Sequence, residues 1–387
     1  MTSRTRLWVL AVSTPVIAFA VLGGYLGQVL AKDETYQHLR VFEDVVSLVV
    51  NNYVEEVDVK KAMGGAMRGL ADNLDPDTAF LTPDLVKTVE AREPLGPADP
   101  GIEVTRQYYL RVVSAREGSP AAKAGLRTGD FIRAIDGKPT RDMSAYEGTR
   151  LLHGAPGSKV SLLVIRGNAA DPHEIAVVRE RPNGPELTSK MADPTTGYVR
   201  VAEFGKDAPS RLKQAFESLT KMGAQREIID LRGAARGDLD DGVAAARLFV
   251  PSGTLAVKQT KLGKEPIATQ SGDGAITAPI VLLVNPGTSG AAEVFAAALD
   301  GNNRAQLIGE HTLGRAARQT LVKLPDGSGL LLTNIRYLTP AGKDIHEKGL
   351  EPKVAVDEPD VEFGSEPPAG DPILDRALQI LSGKKAA

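Results

Sequence analysis

The fold is decided by a strand, a turn and the start of a helix, which read IVLLV-NPGTSG-AAEVFAAAL over residues 280–299. The five apolar residues Ile280–Val284 predict a strand that runs straight into Asn285. The following residues, Ala291–Leu299, have the composition of a helix. A strand that passes through a short turn into a helix is the building unit of an α/β domain.

Strands and helices alternate on both sides of this unit, from Gly197 to about Val356. The alternation predicts an α/β core in which helices connect the strands of a sheet. The predicted strands are Tyr198–Phe204, Glu227–Leu231, Ile280–Val284 and Ala305–Ile308, and the predicted helices are Ser210–Met222, Leu239–Phe249, Ala291–Leu299 and the final Asp371–Leu381.

Two further segments precede this core. A small β-rich module is predicted by short strands, by the helix start at Ser119-Pro120 and by the hairpin signal Asp136-Gly137. A helical segment comes before it and breaks at Leu74-Asp75-Pro76, because the residue before a proline disfavours helix. The predicted domains are a leader or anchor over residues 1–31, a helical segment over 32–95, the β-rich module over 96–182, the α/β core over 183–360, and a spacer with a final helix over 361–387.

The composition excludes several kinds of function. The net charge of −3 provides no field that attracts nucleic acid. The chain has no cysteine, which excludes disulfides, thiolate catalysis and cysteine–zinc sites. Its five histidines are scattered, with no pair at i, i+4. We therefore predict neither a metal site nor a cofactor.

The N-terminus predicts export from the cytoplasm. Arg4 and Arg6 precede an uncharged run, Leu7–Ala31, which is longer than the roughly 20 residues that cross a bilayer. Basic residues before such a run orient the rest of the chain outward. The run stays as a membrane anchor, which its length favours, or is cleaved after Val29-Leu30-Ala31; a buried core helix is the third alternative. The predicted location is the periplasm or the outer face of the cytoplasmic membrane.

The β-rich module resembles a PDZ domain. PDZ domains bind an extended peptide as an added strand. The resemblance implies that protein C-termini or unstructured peptides bind beside Gly101, Ile102, Glu103 and Val104, with amides near Gly101 holding a terminal carboxylate and Ile102 and Leu151 lining a pocket. The alternative is a packing module without a ligand. The residues that carry the resemblance are Glu117-Gly118-Ser119-Pro120-Ala121, Ala124-Gly125-Leu126, Gly129-Asp130 and Ile135-Asp136-Gly137.

The chain from Phe42 to the final helix resembles the carboxyl-terminal processing peptidases, which are tail-specific serine proteases. The resemblance implies a ClpP/crotonase-like α/β peptidase core with an inserted PDZ module and N-terminal helices. The matching segments are Leu74-Asp75-Pro76, Ile229-Asp230-Leu231-Arg232, Gly309-Glu310 with Thr312, Gly314 and Gln319, Leu324-Pro325-Asp326-Gly327-Ser328, Arg336-Tyr337-Leu338-Thr339-Pro340 and Lys348-Gly349-Leu350-Glu351-Pro352.

The resemblance also places a catalytic dyad on this chain. In the family a neutral lysine takes the proton of a serine nucleophile, and a glutamine supports the lysine. With Gly287 and Glu293 as anchors, the serine position falls on Gly290 and the lysine position on Arg315, whereas the glutamine is retained as Gln319. Glycine has no nucleophile, and arginine is effectively always protonated. The resemblance therefore implies an impaired dyad.

The loop that supplies oxyanion-binding amides in the family departs as well. It normally carries a glycine pair, and here it reads Gly233-Ala234-Ala235-Arg236-Gly237. Arg236 puts a bulky cation where a bare amide should meet the oxyanion.

Ser289 is the alternative nucleophile, because it lies beside Gly290 in the same turn. It needs a base, and His311 is the nearest candidate in the sequence. The alternative interpretation of Ser289 is a helix N-cap, a position that serine often takes.

Three functions remain open from the sequence. The first is a non-catalytic homologue that binds protein C-termini or peptides, as an adaptor or as a regulator of an active relative. The second is an active serine peptidase that uses Ser289 or an unrecognised dyad. The third is a vestigial cleft with terminal helices that form a homo-oligomer.

Overall fold

The computed structural model describes residues 36–167, 171–182, 186–359, 361–365 and 370–383. The chain divides into two compact units, Met1–Met67 and Arg68–Ala387. The predicted membrane segment Leu7–Ala31 lies outside the described residues. Within those residues, no helix is both long enough and apolar enough to cross a bilayer.

The described part of the first unit is helical. Helix α1 covers residues 36–52, and helix α2, Val59–Asp72, starts in this unit. Several large apolar side chains of α1 are exposed. A small apolar cavity lies between the two helices; its lining residues are Phe42, Val45, Val46, Val49, Val50, Val57, Val59, Ala62, Met63 and Ala66.

The β-rich module is an antiparallel sheet with strand order β2-β3-β4-β6-β7, and β5 pairs with β4. Ser119 caps helix α4 by accepting from the Ala122 amide at 3.2 Å, as the Ser119-Pro120 signal predicts. Ser144 caps α5 in the same way. The elements are β2 (Ile102–Gln107), β3 (Tyr109–Ala115), α4 (Pro120–Lys123), β4 (Phe131–Ile135), β5 (Lys138–Pro139), α5 (Ala145–Leu152), β6 (Lys159–Ile165) and β7 (His173–Val178).

The central sheet of the core has the order β19-β16-β15-β11-β9-β8. Its strands are parallel except β8, which pairs antiparallel with β9. Strand β15, the apolar run that ends at the turn, lies inside the sheet and is buried throughout. The strands are β8 (Leu187–Asp193), β9 (Thr196–Val201), β11 (Arg226–Asp230), β15 (Ile280–Val284), β16 (Ala305–Gly309) and β19 (Val354–Ala355).

Helices cover this sheet on both faces, and the α/β prediction is confirmed. The larger apolar core includes residues of α6, α7 and α8, and the final helix α9 packs on the opposite side against Ile228, Val281, Leu283 and Ile308. The helices are α6 (Ala208–Lys221), α7 (Leu239–Ala246), α8 (Ala291–Gly301) and α9 (Pro372–Leu381).

A second, antiparallel sheet carries the closing segments, with the order β1-β18-β13-β14 and β17 on β18. Strand β1 comes from the segment before the PDZ-like module, so the module is inserted between β1 and the core. The strands are β1 (Ala79–Leu81), β13 (Thr254–Thr260), β14 (Gly263–Ala268), β17 (Ala317–Lys323) and β18 (Gly329–Leu338); helix α3 (Pro83–Glu90) follows β1.

The predicted strand Tyr198–Phe204 is interrupted at Ala202. Beyond the break a short strand, β10 (Glu203–Phe204), pairs in parallel with β12 (Arg236–Gly237) outside the central sheet. The break occurs where the Ala202 amide donates to the Glu186 carbonyl at 2.8 Å. The loop after β11 therefore pairs with β10 through Arg236 and Gly237.

Candidate functional site

The turn after β15 is held by contacts to the loop after β11. The Ser289 amide donates to the Ala234 carbonyl at 3.0 Å, and the Thr288 hydroxyl donates to the Leu231 carbonyl at 2.9 Å. The Asn285 side-chain oxygen accepts from the amides of Gly233 and Gly287, each at 3.0 Å. The sequence marks Asn285 as part of the turn but does not reveal this bridging role.

Gly290 ends the turn and is the N-cap residue of α8, with φ 64° and ψ −122°. This backbone conformation is unfavourable for residues with a Cβ. A Cβ at Gly290 would nevertheless have space, because its nearest neighbour would be the Arg315 carbonyl at 3.8 Å. The predicted serine position therefore has room for a side chain but presents none.

Glu293, in the first turn of α8, joins this turn to the segment of Arg315. Its buried carboxylate accepts from the amides of Gly290 at 3.0 Å, Gly314 at 2.6 Å and Arg315 at 2.7 Å, and from the Thr312 hydroxyl. Burial raises the pKa of Glu293, although these donors act against the rise. The carboxylate thus brings Gly290 and Arg315 together, as the family pattern implies.

The Arg315 guanidinium is an ion-paired group. Its Nε donates to Asp77 Oδ1 at 2.8 Å, and its Nη1 donates to the Val104 carbonyl at 3.3 Å. The carboxylate of Asp77 raises the pKa of Arg315 above its ordinary value. The sequence does not identify Asp77 as the partner, because it lies 238 positions away in the chain. Its only sequence signal is its place directly after Leu74-Asp75-Pro76.

Ser289 lies next to Gly290, but its side chain is 1% exposed. Its Oγ has no hydrogen-bond partner among the described residues. His311 is exposed, and its Nδ1 lies 2.8 Å from the Thr312 carbonyl. The interpretation of Ser289 as the cap of α8 is wrong, because Gly290 occupies the cap position.

Gln319 lies on β17, where the pairing with β18 shifts its register. Its side-chain amide donates to the Thr333 hydroxyl at 3.1 Å, and that hydroxyl donates to Asp75 Oδ1 at 3.2 Å. Buried His346 lies beside this chain, with its Nε2 3.9 Å from Asp75 Oδ1. Gln319 is therefore connected to the segment before the PDZ-like module.

The predicted oxyanion loop contains β12. Gly237 has φ 123°, and a Cβ there would lie 2.2 Å from the Phe204 carbonyl, so only glycine fits. Arg236 donates from Nε to the Glu103 carboxylate and from Nη2 to Asp99 Oδ2 at 3.2 Å. Burial lowers the pKa of Arg236, but Glu103 and Asp99 outweigh this effect and raise it above its ordinary value. The sequence gives no signal for Asp99 as a partner.

The predicted ligand strand of the PDZ-like module, β2, is an edge strand of its sheet. Ile102 and Val104 are buried in the core of the module, and partly buried Leu151 packs against that core. The Gly101 amide already donates to Asp99 Oδ1 at 2.5 Å. In this conformation the amide expected to hold a ligand carboxylate is therefore occupied by the chain itself.

A cleft of about 490 Å³ separates the outer face of β2 and β3 from the core. Both signs of charge line it, so it suits a polar chain better than an apolar ligand. Its charged lining residues are Glu103, Arg116, Glu117, Glu186, Arg200, Glu203 and Arg236. Among the described residues, no group of three or more His, Asp or Glu side chains could hold a metal ion.

Two family models match the chain. Residues 195–356 match peptidase family S41, and residues 111–166 match the PDZ domain. The S41 match covers the central sheet except β8, the turn Asn285–Gly290, and strands β13, β14, β17 and β18. The PDZ match lies in the β-rich module.

Relatives match over most of their length. The chain is 31% identical to a carboxyl-terminal-processing protease of Synechocystis sp., over 91% of this chain and 83% of the relative. It is 30% identical to the carboxy-terminal processing protease CtpA of Bacillus subtilis, over 93% of this chain and 79% of the relative. A solved structure, the photosystem II D1 C-terminal processing protease, superposes with a TM-score of 0.67 at 30% identity, covering 82% of this chain and 92% of that chain. With its S41 core and its PDZ module, the chain belongs to the family of carboxyl-terminal processing proteases.

Proposed function

We propose that this chain is a catalytically impaired member of its family that acts outside the cytoplasm by binding protein C-termini or peptides. One observation carries the proposal: Gly290 and Arg315, the positions that the family resemblance assigns to the nucleophile and the base, present no side chain and a guanidinium paired with Asp77, respectively. A glycine cannot form a covalent intermediate, and a paired guanidinium cannot accept a proton at neutral pH.

The PDZ module supports the binding half of the proposal. Its strand β2 is an edge strand, and a PDZ domain recognises a peptide by extending its sheet at such an edge. The cleft beside β2 has a polar, mixed-charge lining, which suits an extended chain. The extracytoplasmic location rests on Leu7–Ala31 and the arginines before it, and the proposal includes retention of that run as an anchor.

The catalytic half is tested with a fluorophosphonate probe and an unstructured peptide substrate. We expect neither labelling nor cleavage by the wild-type protein, while the Bacillus subtilis relative serves as a positive control. Ser289→Ala is the matched variant, because the competing hypothesis assigns the nucleophile to Ser289. Labelling of the wild-type protein that disappears in Ser289→Ala would show that Ser289 is a reactive nucleophile. It would refute the hypothesis that the chain is catalytically impaired.

The binding half is tested with a library of random decapeptides that have free C-termini, followed by fluorescence anisotropy of the selected peptide. We expect the same peptide with a C-terminal amide to bind at least tenfold more weakly. Leu151→Asp should abolish binding because Leu151 packs beside the predicted pocket. Leu262→Asp is the matched control, since Leu262 is 99% exposed on the β13–β14 turn. Failure of every library peptide to bind would refute this half.

A further inference from the structure

Arg236 and Arg315, the two arginines at positions where the family resemblance implies other groups, contact the same edge strand of the PDZ module. Arg236 pairs with Glu103 of β2 and with Asp99 just before it. Arg315 donates to the Val104 carbonyl of β2 at 3.3 Å. Neither arginine belongs to the module, since one lies on β12 and the other precedes β17. Both therefore connect the core to the strand that a ligand must extend.

We propose that Arg236 and Arg315 form a latch that holds β2 against the core, and that a peptide and the latch compete for β2. The proposal rests on the proposed function, because it requires that β2 bind a peptide. In this proposal Arg236 and Arg315 have a structural role: they fix the position of β2, the strand that binds the ligand.

The geometry makes the competition direct at Arg315. An added strand needs the free carbonyl and amide groups of the edge strand. The Arg315 guanidinium comes from the core rather than from β3, and it occupies the Val104 carbonyl. A ligand amide that donates to this carbonyl displaces the guanidinium, which keeps its bond to Asp77 at 2.8 Å. Displacement therefore leaves no unpaired charge.

The ion pairs of Arg236 in the latch are partly buried, which makes them stronger than ion pairs on the surface. Asp99 is 1% exposed, and the side chains of Arg236 and Glu103 are about one quarter exposed. Asp99 also accepts from Arg116 at 3.2 Å and from the Gly101 amide, so its carboxylate is fixed in place. Ion pairs that are partly desolvated and anchored on one side are stronger than exposed, mobile ones. Opening of the cleft must break the contacts of Arg236 with Asp99 and Glu103 together.

The latch itself is tested without a ligand. The chain has no cysteine, so the pair Ala176→Cys and Glu217→Cys places one spin label on an exposed strand of the module and one on an exposed helix position of the core. We expect one narrow distance distribution in the otherwise wild-type protein. Arg236→Gln with Arg315→Gln should broaden and lengthen it. Arg318→Gln is the matched control, because Arg318 pairs with Asp238 and Asp240 within the core.

The competition is tested with the peptide selected on the wild-type protein. If the binding-competent state is only a fraction of the population, the apparent Kd rises by the inverse of that fraction. We expect the double arginine variant to bind the peptide about tenfold more tightly, and Arg318→Gln to bind it unchanged. Excess peptide should also lengthen the spin-label distance in the labelled protein with its arginines intact.

Glu103→Gln provides a second route, because it weakens the latch from the module side and leaves both arginines in place. It should tighten peptide binding in the same direction, even if the double variant does not fold. Unchanged peptide affinity and an unchanged distance distribution in the folded variants would overturn the latch while the proposed function stands. Absence of peptide binding in every variant would instead overturn the proposed function, and the competition with it.

Discussion

At the scale of single residues, Asp77 is the strongest influence on the protonation of a basic side chain at position 315. A lysine at this position would lie beside the same carboxylate, and opposite charges about 4 Å apart attract by about 4 kcal/mol at an effective dielectric constant of 20. This attraction raises the pKa of the ammonium group, so the lysine stays protonated at neutral pH. We therefore expect the double variant Gly290→Ser with Arg315→Lys to remain inactive. The triple variant that also carries Asp77→Asn should cleave an unstructured peptide at a rate at least tenfold above that of the double variant.

The control is Asp77→Asn alone, which keeps Gly290 and Arg315 and should be as inactive as the wild-type protein. Equal cleavage by the double and triple variants would show that Asp77 does not control the protonation of the base. The peptide assay then needs a pH series, because a lowered lysine pKa moves the rise of activity to lower pH.

Glu227 is a buried acid whose titration should be visible in the stability of the whole core. Neither carboxylate oxygen has a hydrogen-bond partner among the described residues, and burial raises its pKa from 4.5 to about 7, against the opposing effect of Arg304. Between these values the folded protein binds more protons than the unfolded chain. The contribution is therefore fully present below pH 4.5 and is lost as the pH rises through about 7.

We expect this loss to reach about 3 kcal/mol in the free energy of unfolding. Denaturant unfolding from pH 4 to pH 8 measures it as the difference between the wild-type protein and Glu227→Gln, in which the slope is absent. Glu217→Gln, on an exposed position of α6, is the matched variant and should follow the wild-type curve. Parallel curves for Glu227→Gln and wild type would show that the pKa of Glu227 is the same in the folded and unfolded states.

At the scale of elements, the two glycines of the site differ in what prevents a side chain. At Gly290 the obstacle is the backbone conformation alone, so Gly290→Ala should cost about 1–2 kcal/mol. At Gly237 a Cβ would also meet the Phe204 carbonyl of the paired strand β10 at 2.2 Å. Gly237→Ala should therefore cost more than about 3 kcal/mol. Denaturant unfolding of both variants checks the order, and equal losses would contradict the steric argument.

The elements could largely be predicted from the sequence, because apolar runs and capping residues act locally. Ile280–Val284 and Ser119-Pro120 each identify their element. The break at Ala202 could not be predicted, because it depends on a hydrogen bond to Glu186 and on pairing with β12. In the same way, the family pattern predicts the position of Arg315 in the sequence. Its partner Asp77 could not be predicted, because their contact depends on how the segment before the PDZ module packs on the core.

At the scale of the whole molecule, the last helix closes the sheet that carries the site. Arg232, just after β11, binds Asp371 through two bonds of 2.9 and 2.7 Å, and Arg226 donates to the Leu381 carbonyl at 2.5 Å. These contacts fix both ends of α9. Its apolar face covers the side of the central sheet that α7 and α8 leave open, so the end of the chain completes the core.

Ile373 makes this closure testable, because its side chain is fully buried against the central sheet. Ile373→Ala should lower the free energy of unfolding by about 3 kcal/mol, since it removes buried methyl groups and leaves a cavity. Ile380→Ala, on the same helix but only partly buried, should cost about 1 kcal/mol. Ile373 contacts the central sheet, whereas the peptide is proposed to bind at β2 of the PDZ module, so we also expect peptide affinity to stay unchanged in Ile373→Ala wherever the protein is folded. Loss of affinity without loss of folding would mean that α9 acts on the site itself and not only on the stability of the sheet.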